Sequence, residues 1–81
     1  MQAGLKTLSG KGVMKVLSLF GFSIHSQSGS HFKVKRKIVG ATETLIVPNH
    51  DPIAKGTLKA IFNQASKYIS QEELRGHFYN K

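Results

Sequence analysis

The stretch that decides the fold is His31-Phe32-Lys33-Val34-Lys35-Arg36-Lys37-Ile38. Its residues alternate, which is the two-residue period of a strand with unlike faces. Phe32, Val34 and Ile38 share one face, and His31, Lys33, Lys35 and Lys37 share the other. Arg36 falls on the apolar side near the strand's end, where its long stem would let the charge escape to solvent. Before this strand, Gln27-Ser28-Gly29-Ser30 reads as a tight turn. Phe22 to Gln27 alternates again, with Phe22 and Ile24 on one side and Ser23 and His25 on the other. After it, Val39 to Thr42 contains Gly40 and reads as the next turn. Glu43 to Val47 is then a third strand, stopped by Pro48. Three short strands with short connections predict an antiparallel meander.

Helices flank the strands. Ser9 is a good N-cap for a helix to about Phe20. Val13, Val16, Leu17 and Phe20 recur at helical spacing on its apolar face, and Gly21 is placed to stop it. Asn49-His50-Asp51-Pro52 is loop chemistry. Lys55-Gly56-Thr57 leads into a second helix, about Thr57 to Ser66, with Leu58, Ile61, Phe62 and Ala65 on one face. Ser70 followed by Gln71, Glu72 and Glu73 is a capping-box signature for a short third helix ending near Phe78. Met1 to Leu8 is a lead-in without clear period. The expected fold is a two-layer α+β domain: a three-stranded antiparallel sheet with helices on one face, plus a short C-terminal helix. The other face, carrying His31 and the lysines, is left to solvent.

Eighty-one residues make one domain, 1–81, with no room for a second core. Hydrophobic residues are 40% and charged residues 20%, as in a globular chain rather than a disordered one. The charge is lopsided: twelve Lys and Arg against four Asp and Glu give +8. That excess predicts a polyanionic partner. With no cysteine, disulfides and thiol chemistry are excluded. No signal-peptide core and no apolar run of about 20 residues is present. The expectation is a cytoplasmic protein with no membrane partner.

Lysines on an exposed strand ordinarily keep a sheet face soluble and guard an edge. Solubility needs charge but not charge of one sign, so the +8 favours a stripe that tracks phosphates. Neither helix sets a dense Lys face against Trp, Phe and Leu, as a membrane-surface helix does. Of the histidines, His25 and His77 read as ordinary surface or satisfied polar residues. No His-x3-His or other metal-ligand spacing occurs, so no metal and no cofactor is expected. Nucleophile-elbow, Walker and dinucleotide motifs are absent. His31 stands apart, because it follows Gly29-Ser30 and opens the basic strand. Attack of an RNA 2′-hydroxyl on its own phosphate requires a group that moves a proton near neutral pH, and cations to stabilise the gathering charge. A histidine beside lysines supplies both.

Taken together, the motifs resemble the HicA-type mRNA interferase toxins of bacterial and archaeal toxin–antitoxin modules. The matching residues are Leu8-Ser9-Gly10-Lys11, Gly21-Phe22, Gln27-Ser28-Gly29-Ser30-His31, Val47-Pro48-Asn49-His50, Lys55-Gly56-Thr57-Leu58, Gln64-Ala65 and Ile69-Ser70-Gln71-Glu72-Glu73. They span Leu8 to Leu74. The resemblance implies an α-β-β-β-α fold like that of double-stranded-RNA-binding domains, ribonuclease activity on translated mRNA, and neutralisation by a HicB-type antitoxin that covers the active site. It maps the family's catalytic histidine onto His31, and a second, supporting histidine onto His50. Three features depart from the pattern. They are a long connection from Ile38 to Thr44, Pro52 within Asp51-Pro52-Ile53-Ala54, and a tail beyond Leu74 that carries Arg75, His77, Phe78 and Tyr79.

The expected mechanism is a metal-independent endoribonuclease with His31 as general base or acid. Lys33 and Lys35 would bind backbone phosphates. Lys55 with the N–H groups of Gly56 and Thr57 would form a phosphate site at a helix N-terminus. Gly29 and Ser30 would let backbone approach the RNA. Phe32 is expected in the core and Tyr79 in a tail contact. The alternative is a non-catalytic RNA-binding module of the double-stranded-RNA type, in which Gly29-Ser30-His31 reads a groove. Such modules often start their second helix with a denser lysine cluster than the single Lys55 here.

Overall fold

A computed structural model gives the protein's structure and describes residues 4–80. Helix α1 (Gly10–Leu19) is followed by strands β1 (Ser23–Ser28), β2 (His31–Ile38) and β3 (Ala41–Pro48), then helices α2 (Lys55–Ala65) and α3 (Gln71–Phe78). The strands form one antiparallel sheet in the order β1-β2-β3. The α-β-β-β-α order with a short third helix is the architecture the periodicities predict.

Local chemistry sets the helix ends. Ser9 Oγ accepts the Gly12 N–H at 3.0 Å, capping α1. At the other end Gly21 takes φ +93°, its N–H bonding Ser18 O at 3.1 Å while the Phe22 N–H bonds Leu17 O at 3.2 Å. That pair of bonds is the Schellman arrangement, which satisfies the last carbonyls and turns the chain into the sheet. Ser70 Oγ accepts the Glu73 N–H at 3.2 Å, as its sequence signature requires. Helix α2 starts two residues earlier than its pattern suggests, and Ala54 at its N-cap offers no side-chain bond.

The core lies between one sheet face and the helices. Val13, Leu17, Leu58, Ala65, Leu74 and Phe78 are fully buried there, with Val34, Leu45 and Val47 from the sheet and Phe22 ahead of it. Each such aliphatic or aromatic side chain contributes roughly 1.5–3 kcal/mol relative to exposure. Residues outside the α1-to-α2 span complete the layer. Leu5 bridges Tyr79, the Lys6 N–H bonds Phe78 O at 2.8 Å, and the Asn80 N–H bonds Gly4 O at 2.7 Å. The described part of the lead-in is therefore docked against the tail; Met1 to Ala3 lie outside the described residues.

Three expectations need correction. The β2–β3 connection is not long: Ile38 pairs with Ala41, leaving the two-residue turn Val39-Gly40, with Gly40 at φ +78°. Glycine at the second turn position lets the strands continue to the very end, so β3 starts at Ala41 rather than Glu43. Arg36 does not escape to solvent. Opposite Glu43 in register, it donates Nε to Oε1 at 2.6 Å, Nη1 to Phe20 O at 2.8 Å and Nη2 to Tyr68 O at 2.9 Å. A half-buried guanidinium that reaches an acid and two carbonyls has all three of its nitrogens bonded. Ile24 does not join the core either, because the helices cover β2 and β3 and leave all six residues of β1 exposed.

Candidate active site

The register assigns the outer sheet face. Partners across an antiparallel pair share a side, so His31 lies beside Pro48, Lys33 beside Ile46, Lys35 beside Thr44 and Lys37 beside Thr42. Ser28, Ser26 and Ser23 complete the face from β1. None of the four acids is among these residues. Glu43 sits on the core side with Arg36, Glu72 and Glu73 open α3, and Asp51 is in the loop after β3. The outer face carries cations and hydroxyls along its length, with apolar Ile46 and Pro48 beside them at the His31 end.

At one end of the face is a cleft of about 450 Å³, lined by His31, Ile46, Pro48, His50, Thr57, Ala60, Ile61 and Gln64. Main-chain geometry builds it. The turn Gly29-Ser30 delivers His31 directly onto β2, with Gly29 at φ +56° as a tight hairpin of this kind requires at its first position. The Asn49 N–H then bonds Ser30 O at 2.6 Å, stitching the end of β3 to that turn. The next residue, His50, gives its carbonyl to the Gly10 N–H at 2.8 Å. The start of α1 thus holds the loop, and the loop holds His50 in the same cleft as His31. Thr57, Ala60, Ile61 and Gln64 arrive together because they recur at i, i+3, i+4 and i+7 along α2.

The sequence-predicted residues divide accordingly. His31, His50 and Thr57 share the cleft, with Gly29 and Ser30 at its turn and Gly56 exposed in the first turn of α2. Lys33 and Lys35 continue from His31 along the outer face. Lys55 is elsewhere: its Nζ donates to Leu5 O at 3.0 Å, Lys6 O at 2.8 Å and Thr7 Oγ1 at 3.2 Å. That ammonium ties the lead-in to α2 and is committed to three protein oxygens. Ile46, Ala60, Ile61 and Gln64 also line the cleft, although their residue types carry no chemistry that marks them as site residues. The helical repeat counted from Thr57 was the signal that marks three of them. Among the described residues no three of His, Asp and Glu converge as metal ligands would. No helix among them is long and apolar enough to cross a membrane.

A family model, "HicA toxin of bacterial toxin-antitoxin", matches residues 10–66. The match runs from the first residue of α1 to the end of α2 and so contains every residue lining the cleft. No curated protein and no solved structure matches the chain. With the fold, the Gly-Ser-His turn and the Val-Pro-x-His loop in register within that span, the chain belongs to the HicA family of toxins of bacterial toxin–antitoxin modules.

Proposed function

We propose that the protein is a metal-independent endoribonuclease that cleaves mRNA in the cytoplasm, inhibits translation, and is neutralised by a HicB-type antitoxin. The observation that carries this reading is the joining of His31 and His50 in one cleft at the head of a cationic strand face. Membership of a toxin family supports the toxic role and an antitoxin partner.

In the proposed reaction the RNA 2′-oxygen bonds to the adjacent phosphorus, the bond from phosphorus to the 5′-oxygen breaks, and a 2′,3′-cyclic phosphate and a 5′-hydroxyl remain. His31 takes the 2′-hydroxyl proton or protonates the departing 5′-oxygen. Lys33 and Lys35 offset charge on backbone phosphates along the same face, and His50 supports the reacting phosphate. The unpartnered first-turn N–H groups of α2, at Gly56 and Thr57, face an anion favourably. Lys55 contributes by holding the segment that precedes α1.

The test is incubation of long single-stranded RNA and DNA with wild-type and His31→Ala protein in EDTA. Cleavage of RNA alone by the wild type, leaving 2′,3′-cyclic phosphate ends, is expected. His31→Ala should lose ~10²–10⁴ of the rate while still binding RNA. Cleavage of DNA, or near-full activity of the variant, would rule out the mechanism. Binding without cleavage by either protein would instead make the chain an RNA-binding module.

A further inference from the structure

The outer sheet face holds a second concavity, also about 450 Å³, at the end remote from His31. Ser23, Ile24, His25, Lys35, Lys37 and Thr42 line it. Its shape comes from an irregularity in β1. The register passes from Ile24↔Val34 to Ser26↔Lys33, so His25 is an extra, unpaired residue. A bulge of this kind bends the strand and re-aims side chains. Here it puts His25 on the lysine side and turns Ser26 and Ser28 outward as well. No acid lines the hollow. Among the described residues Lys35, Lys37 and His25 form no side-chain hydrogen bond or ion pair, whereas Lys6, Lys55 and Arg36 are all engaged.

We propose that this hollow is a second phosphate seat, which grips the RNA backbone several nucleotides away from the bond that is cut. The inference rests on the ribonuclease reading above. His31 and Lys37 lie on one strand six residues apart, about 20 Å at strand rise. At duplex spacing, about 3.4 Å per phosphate, the separation corresponds to roughly six nucleotides, and to fewer where the strand is extended. Lys33 stands between the two sites on the same row. A strand that occupies the cleft and follows the cations therefore runs into the hollow, and this continuity favours a nucleic-acid backbone over an acidic protein segment. The seat is built for phosphates, since two lysines, a histidine and two hydroxyls line it and no Phe, Tyr or Trp does.

The test compares unstructured 2′-O-methyl RNAs of three and ten nucleotides, which cannot be cleaved, on wild-type and K35Q/K37Q protein across a salt series. For the ten-mer the variant should bind roughly 10–30-fold more weakly at 0.1 M salt, its salt slope falling by about 1.4. The three-mer should lose far less. Equal loss for both lengths, or no loss, would overturn the seat, as would a wild type that cleaves RNA yet binds the ten-mer no better than the three-mer. Intact RNA binding with weakened affinity for a purified HicB-type antitoxin would make the hollow a protein-docking face instead. A wild type that neither binds nor cleaves RNA would remove the ribonuclease reading, and this inference with it.

Discussion

Gly10 and Pro48 meet backbone to backbone. A β-carbon built on Gly10 would overlap the Pro48 carbonyl oxygen and stand 2.9 Å from Asn49 Cα. Neither neighbour is a flexible side-chain end, so nothing nearby yields cheaply. The closeness has a use, because it lets the Gly10 N–H reach His50 O at 2.8 Å. The first residue of α1 is thus in direct contact with the two residues that precede His50 and bonded to His50 itself. Fold and site are joined at a point where only glycine fits.

Gly10→Ala is therefore expected to destabilise the protein by roughly 1–3 kcal/mol, the usual cost of forcing extra volume into a packed site. It should also lower RNA cleavage, by displacing the His50 loop. Gly76→Ala is the control. It lies within α3, a β-carbon there meets nothing within 4 Å, and the gain in helix propensity is about 0.5–1 kcal/mol. Urea unfolding of both variants checks the pair. A neutral Gly10→Ala would show that the α1–β3 junction relaxes.

Arg36 gives a second prediction. Its guanidinium bonds Glu43, Phe20 O and Tyr68 O, joining β2, β3, the end of α1 and the chain after α2. Arg36→Met removes all three bonds and leaves the buried Glu43 carboxylate without its cation. The expected loss is about 3 kcal/mol, the lower end for half-broken buried pairs, because the guanidinium is partly exposed. Arg36→Lys should recover little, since one ammonium cannot reproduce a planar fork reaching three oxygens. The double variant Arg36→Met, Glu43→Leu should be more stable than Arg36→Met alone. Equal stability of Arg36→Lys and wild type in thermal melts would contradict this account.

These two features mark where the sequence was readable and where it was not. Alternation at Phe32 and Val34 and the spacing of Leu58, Ile61, Phe62 and Ala65 report burial directly, so strands, helices and core followed, although Ile38, on the same face of the strand, is exposed. Ser9, Gly21 and Ser70 carry local backbone chemistry, and all three do what their types predict. His31 and His50 stood out as chemical groups, but nothing in the sequence shows that Asn49 bonds Ser30 and brings them into one cleft. Alternation places Arg36 on the apolar side without naming the acid opposite. That partner depends on register, and register depends on the two-residue turn Val39-Gly40, which nothing local in the sequence separates from a longer connection. The bulge at His25 is likewise a pairing irregularity, invisible before the strands are aligned.

Lys55 separates structural from ligand-binding cations. Its three bonds to Leu5, Lys6 and Thr7 lie at the surface, where each contributes modestly. Lys55→Met should cost about 1 kcal/mol of stability. It should also speed hydrogen exchange at Lys6 and Asn80, whose amides bond Phe78 O and Gly4 O. The salt slope of RNA binding should be nearly unchanged. Lys33→Met should do the opposite, leaving stability within about 0.5 kcal/mol and lowering the slope by about 0.7. A fall of that size for Lys55→Met would return Lys55 to the phosphate-binding set.

His50 can be probed without disturbing the loop that carries it. Main-chain bonds fix that loop: Asn49 N–H to Ser30 O, and His50 O to Gly10 N–H. Removing the imidazole breaks neither, and the residue is exposed, so His50→Ala should change stability by no more than about 0.5 kcal/mol. Its effect on cleavage then reports chemistry. As a supporting group, His50 should contribute about tenfold, against ~10²–10⁴ for His31, and the two losses should multiply in the double variant. Two histidines that instead act as a coupled acid and base would show a different pattern. Each single variant would then lose nearly as much as the double, because removing either partner stops the same proton-transfer step. Single-turnover cleavage by the two single variants and the double variant distinguishes these outcomes, and the second pattern would make His50 a catalytic partner of His31 rather than its support.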